Sequence, residues 1–386
     1  MDKVRVGIIG SGFVSQVHAE AFLEVPEAEI VASCGADPVG AVEFARKWKI
    51  PASTTDHRRL LERRDIDMVV VGVPNHLHRE IVVAAAEAGK HIVIEKPLAH
   101  TLEAGRAMME ACREHRVKLM YAETICFSPK YARAKQLVEE GAIGKMYMTK
   151  QGAKHSGPPS DWFCDIERAG GGVIMDMGCH GIEWSRWMYG KPQVKSVVAH
   201  CQHVFHERTK GEDNSVIILE FEGGGISVLE DCWVRHGGMD DRIELYGTSG
   251  VIYCDLLHGS SMETYSVNGY GYAVEKSGDT KGWTFTVFEE AHLYGFPHEM
   301  RHFTQCVLND QSARETGEDG VAALEIIYAA YESAGTGQRV NWPYEPKDPA
   351  AIPVNLWLRA SEQGGICSLA KVASAKEADR RSGLKI

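Results

Sequence analysis

Val4-Arg5-Val6-Gly7-Ile8-Ile9-Gly10-Ser11-Gly12-Phe13-Val14-Ser15 is an apolar strand pattern that runs into a glycine turn, and an apolar-periodic helix follows from Val14 to Phe22. A dinucleotide-binding β-α-β unit begins this way. Gly10 permits the tight turn and Gly12 lets the backbone approach a pyrophosphate. The helix start, with Phe13 and Val14, offers N–H groups to the phosphate charge. Ser15 stands where a third glycine is usual and is still small enough for close helix–strand packing. A second strand, 29–34, ends at Gly35-Ala36-Asp37-Pro38. A carboxylate at that tip accepts ribose hydroxyl protons and repels a 2′-phosphate, so Asp37 favours NAD over NADP. Asp before Pro is also a helix-start arrangement, and both roles can hold together.

Outward from this unit, strand and helix alternate to about residue 124, with further apolar strands at 67–73, 91–96 and 118–122 and helical stretches at 79–88 and 102–115. Near-continuous apolar strands joined by helices predict a doubly wound parallel sheet covered on both faces, a Rossmann domain over residues 1–125. After Pro129 a helix to Glu140 leads to longer strands at 145–154, 195–205, 215–222, 225–234, 242–247 and 250–256, joined by turns such as Glu222-Gly223-Gly224-Gly225. Helices return at about 297–309 and 318–334. This predicts an α+β domain over 126–341 with a large, mostly antiparallel open sheet. The extension 342–386 is Pro-rich, then small and polar. It reads as a loose tail, except that Val354-Asn355-Leu356-Trp357-Leu358 is apolar enough to pack on a neighbour.

Composition narrows the class. A length of 386 residues suits two domains, and 44% hydrophobic with 25% charged residues suits a globular enzyme. No apolar run reaches the roughly 18 residues of a membrane span. The net charge of −11 argues against nucleic acid or an anionic membrane as partner. Ten scattered cysteines without a CxxC pair, and no basic leader before the first strand, predict reduced thiols and a cytoplasmic location.

Three clusters fall where such a fold places a site. Gly72-Val73-Pro74-Asn75-His76-Leu77-His78 closes the third apolar strand; its Pro74-Asn75 turn and His78 either face a cofactor or form a turn with a helix cap. Glu95-Lys96-Pro97 closes the next strand. Proline holds the preceding residue extended, which aims Lys96 into the crevice, where an ammonium can bind a substrate oxygen; the alternative is a surface lysine paired with Glu95 or cofactor phosphates. Gly170-Gly171-Gly172-Val173-Ile174-Met175-Asp176-Met177-Gly178-Cys179-His180 opens a helix to Met188, with Asp176 and His180 one turn apart on one face. Such a carboxylate can fix an imidazole as general base. A buried structural pair is the second reading. A metal site is the third, although His155, His203 and His206 stand in no recognisable ligand spacing and no metal is expected. His155, Trp162 and His298 are further substrate-pocket candidates, each equally able to be packing.

Taken together, GxGxxS, the acidic strand tip, P-N-x-x-H, E-K-P and G-G-G-x-x-x-D-x-G-x-H resemble the glucose–fructose oxidoreductase / inositol dehydrogenase (Gfo/Idh/MocA) family from about residue 3 to 335. The resemblance implies an NAD-dependent oxidoreductase acting on a sugar, glycoside or cyclitol, including the C3 hydroxyl of a glucoside, and a homo-oligomer. It implies that Lys96, Asp176 and His180 surround the substrate carbon, with Glu95 and Glu123 in the cofactor-binding set. The expected chemistry has His180 as base, Asp176 orienting it, and Lys96 holding the oxygen. Rival readings are an NAD-dependent glycosidase using transient oxidation and a non-catalytic dinucleotide sensor.

Overall fold

The computed structural model describes residues 3–158, 160–236, 238–257, 262–266, 281–286 and 289–362. In the first half the strands are β1 (Val4–Ile9), β2 (Ala28–Cys34), β3 (Ser53–Thr54), β4 (Met68–Val71), β5 (His91–Glu95) and β6 (Leu119–Ala122). The helices between them are α1 (Phe13–Phe22), α2 (Pro38–Trp48), α3 (His57–Leu61), α4 (His78–Glu87) and α5 (Leu102–Glu114). All strand pairs are parallel, in the order β3-β2-β1-β4-β5-β6. Met68 to Val71 and Ile92 to Ile94 are fully buried, which is why these strands are apolar without alternation. The order reverses between β1 and β4, and the crevice for a ligand opens there, beyond the strand C-termini.

The second half begins with α6 (Pro129–Glu139) and adds β7 (Met146–Lys154), α7 (Ile166–Ala169), α8 (Cys179–Tyr189), β8 (Val194–Gln202), β9 (Asn214–Phe221), β10 (Ile226–Cys232), β11 (Asp240–Gly247) and β12 (Gly250–Asp255). A two-stranded pair, β13 (Met262–Ser266) and β14 (Gly282–Thr286), precedes α9 (Glu290–Tyr294), α10 (Phe296–Leu308), α11 (Gly317–Thr336), β15 (Val340–Asn341) and α12 (Val354–Glu362). The large sheet runs β12-β11-β7-β10-β9-β8-β15 and is antiparallel except where β7 and β10 pair in parallel. Strict alternation marks it: Ile217, Leu219 and Leu229 are buried on the helix-covered face, while Val216, Ile218 and Ile226 are exposed on the other.

Two returns join the halves. α10 packs on α1, and α11 packs on α5, α8 and β8. The extension is no loose tail up to residue 362. α12 lies on α11, Trp357 is fully buried, and the Pro349 carbonyl accepts from the Glu103 N–H at the start of α5. The polar end, 363–386, lies outside the described residues. The described cysteines are free thiols, and among the described residues no helix is long and apolar enough to cross a membrane.

Candidate active site

The turn after β1 has the shape a dinucleotide needs. Gly10 adopts φ 118° and donates to the Cys34 carbonyl at 2.8 Å, and a Cβ there would run into the Gly72 carbonyl. α1 starts at an exposed Gly12 with open space beside it, so its first N–H groups can meet a pyrophosphate. Phe13 is exposed and Val14 partly so at this rim. Ser15 is buried, its hydroxyl 3.4 Å from the Gly72 carbonyl. Asp37 is exposed at the tip of β2 and accepts from the Gly40 N–H at 2.7 Å, so it caps α2.

The loop after β4 turns inward. Pro74 is partly exposed, but Asn75 is buried and donates its amide to the Ala169 carbonyl at 2.8 Å, tying the loop to α7. The His78 ring is buried between the Leu98 carbonyl (3.0 Å) and the Val73 carbonyl (2.9 Å), and burial lowers its pKa. These contacts hold backbone segments together. Glu95 is likewise drawn inward, against His18 of α1 at 2.6 Å. Burial works to raise its pKa, but the His18 hydrogen bond and charge outweigh it and hold the carboxyl below the usual range.

Lys96 leaves the end of β5 and reaches the second half. Its ammonium donates to the Asp176 backbone carbonyl (2.7 Å) and to Asp176 Oδ1 (2.9 Å). Burial opposes the charge, but the Asp176 carboxylate outweighs burial and raises the lysine above its ordinary range. Asp176 Oδ2 accepts from the Trp233 indole N–H at 3.0 Å and lies 3.6 Å from His155 Nε2. His155 is thus buried beside this carboxylate, its Nδ1 accepting from the Gly157 N–H at 3.1 Å.

Asp176 does not orient His180, contrary to the i, i+4 expectation. Residues Ile174–Gly178 form a π-helical turn, whose extra residue per turn shifts the phase relative to α8. The carboxylate therefore faces Lys96 and Trp233. The His180 Nδ1 instead hydrogen-bonds Glu123, which is fully buried just beyond β6. The triple glycine serves the chain itself: a Cβ on Gly172 would strike the Glu212 backbone. Glu212 Oε1 accepts from the Ile174 N–H (2.9 Å) and the Tyr331 hydroxyl (2.7 Å), bracing the π turn from behind. Burial pushes its carboxyl up to about 7.

Two further pocket candidates have aromatic neighbours. Trp162 is partly exposed and stacked on Phe163 at 3.8 Å. His298 is exposed and faces His292 at 6.0 Å, on the outside of α10. Its neighbour Glu299 points the other way, fully buried, accepting from the Thr124 hydroxyl at 3.1 Å. Trp233, Thr124 and Glu299 were not foreseen; an indole just past an alternating strand and a Glu after a Pro-started helix turn were the only local signals. Glu123, Cys179 and His180 place possible ligand atoms within 4.8 Å of one another. Burial keeps the Cys179 thiol protonated, and its S–H donates to the Asp176 carbonyl at 3.4 Å. The trio therefore has its own hydrogen-bond partners without an ion. The Glu183, Glu315 and Asp319 group already holds Lys191 and Arg186.

The family model described as "Oxidoreductase family, NAD-binding Rossmann fold" matches residues 4–123, and the "GFO/IDH/MocA C-terminal domain" matches 131–253. Levoglucosan dehydrogenase of Pseudarthrobacter phenanthrenivorans is 30% identical over 334 residues, covering 76% of this chain and 83% of its own. The scyllo-inositol 2-dehydrogenase (NAD(+)) of Bacillus subtilis is 29% identical, covering 88% and 96%. The crystal structure of GenD2 from gentamicin A biosynthesis in complex with NAD superposes with a TM-score of 0.83 at 29% identity, covering 89% and 97%. With the glycine turn, the lysine and the Asp176/His180 segment in one crevice, the chain belongs to the GFO/IDH/MocA family of oxidoreductases and carries its NAD-binding Rossmann domain.

Proposed function

We propose that the protein oxidises a secondary hydroxyl of a sugar, glycoside or cyclitol, with NAD+ as the hydride acceptor. Relatives named for levoglucosan and scyllo-inositol support that substrate class. The observation that carries the reading is a double crossing between the halves: Lys96 of the first is paired with Asp176 of the second, and His180, four residues after Asp176, is bonded back to Glu123 of the first. When bound, the nicotinamide supplies the redox chemistry. The chain supplies the rest. An ammonium has three N–H groups, and Asp176 engages Lys96 twice, which leaves a third for the substrate oxygen and for the negative charge that develops on it. The His180 Nδ1 is committed, so Nε2 takes the hydroxyl proton. Asp176 and Trp233 fix where the ammonium sits. The exposed apolar face of the large sheet, with Val216, Ile218 and Ile226, supports self-association as a homo-oligomer.

The test is NADH formation over a panel of glucosides, free sugars and inositols, with product analysis to read the oxidised carbon. Lys96→Ala and His180→Ala should each lower kcat/KM by about 100- to 10,000-fold. Near-normal turnover in both variants would reject the reading. Release of an aglycone with no net NADH would replace it by transient oxidation.

A further inference from the structure

Three buried glutamates gather at the ends of β5 and β6 and on α10, and each has taken a different partner. Glu95 holds the imidazole of His18, Glu123 holds that of His180, and Glu299 has only the Thr124 hydroxyl among the described residues. Three carboxylates cannot all stay ionised in one buried bed. Burial first, then the charges of Glu95 and Glu123, push Glu299 well above the usual carboxylate range, so the glutamate without a histidine keeps its proton. Glu95, held low by its histidine, stays an anion.

The two Glu–His pairs differ in one respect. The His18 side chain is 0% exposed, on the buried face of α1, whereas that of His180 is 14% exposed and that of Lys96 17%. The first pair is a strut. The second ends in the crevice.

We propose that Glu123 is the positioning carboxylate of His180: it fixes the Nδ1–H tautomer, aims Nε2 at the substrate hydroxyl and stabilises the imidazolium formed when the proton is taken. An ionised carboxylate can only accept, so the hydrogen of the Glu123–His180 bond belongs to the ring nitrogen. The proton balance is simple: the substrate O–H proton moves to Nε2 as the C–H hydride leaves, and the positive ring then faces Glu123. This assignment rests on the proposed dehydrogenase reading of the site. It moves Glu123 from cofactor binding to base positioning and gives Asp176 to Lys96. The charged groups that surround the ring are Glu123 beyond β6, Glu95 from β5, and Asp241 from β11, the last held by the Tyr131 hydroxyl of α6 at 2.8 Å. Asp176 and Cys179 stand beside it on its own segment, and neutral Glu299 lies behind Glu123.

Glu123→Gln keeps the shape and removes the charge. It should lower kcat/KM at least about 100-fold while NADH affinity, read by fluorescence titration, stays within about threefold. The loss should fall on kcat, with KM for the substrate little changed. Glu123→Asp keeps the charge and should partly restore kcat, which separates positioning from a folding defect. The inference falls if Glu123→Gln keeps kcat/KM within threefold of wild type. It also falls if the variant loses NADH affinity in proportion to kcat/KM. His180→Ala decides the reading beneath it: an active His180→Ala ends that reading, whereas an inactive His180→Ala beside an unaffected Glu123→Gln ends only this inference.

Discussion

The two sheets solve the same burial problem in opposite ways. The parallel sheet is covered on both faces, so its chemistry can emerge only at strand ends, and there Lys96 and Glu123 appear, one and two strands beyond β4. The larger sheet is covered on one face. Its contribution comes from that face, through the π turn and α8 laid across it and through Trp233 just past β10. The lesson is that the site is built where the edge of one layer meets the covered face of the other, while the bare face of the second sheet takes no part.

Substitutions that sample these layers should give graded effects. The deepest is Trp357→Ala. It empties a fully buried indole site where α12 covers α11, which in turn covers β8, and should cost about 3–5 kcal/mol in urea or thermal unfolding. A cost below about 1 kcal/mol would show that the extension is not part of the covering layer.

Smaller and dependent on pH is the effect of Glu212→Gln. The Glu212 pKa is raised by burial from 4.5 to about 7, so the native state holds this proton more tightly than the unfolded chain. Its contribution is complete below about pH 4.5 and is lost as pH rises through about 7. Between about pH 5 and pH 8 the wild-type Tm should therefore fall about 2–4 °C more than that of Glu212→Gln. Parallel Tm curves for the two proteins would show that the carboxyl titrates as an ordinary glutamate.

The smallest effect is expected on the bare face. Ile218→Thr should change the stability of a monomer by about 0.5 kcal/mol or less. A cost of about 2 kcal/mol that depends on protein concentration, with a drop in mass by light scattering, would sharpen the comparison by showing that a second copy covers this face in solution.

How much of this was legible in the sequence follows from range. β1, its glycine turn, β2, β4, β5 and β6 are set by local periodicity and by glycine and proline, and they are found within a residue or two of their expected places, whereas the two-residue β3 was not foreseen. The alternation of β9 and β10 was equally plain because one face of that sheet is wet. Lys96 could be aimed from its proline alone. The partner of His180 could not, because an i, i+4 reading assumes a regular helix, and the π turn is stabilised from outside by Glu212 and Tyr331, residues far along the chain. The parallel pairing of β7 with β10 is non-local in the same way. Glu123 did carry a signal, an acid directly after an apolar strand in the same place as Glu95, but only the fold reveals that both glutamates choose histidines.

The ion pair between Lys96 and Asp176 joins positions 80 residues apart, one from each lobe. During synthesis the lysine emerges well before its counter-ion, so on the proposed reading of this pair the oxidation machinery is complete only once the second lobe docks. Turnover is thus inherited jointly. A recombined gene that joins this first lobe to a foreign second one can keep both folds and still be inert, unless the borrowed acid lands within reach of the ammonium.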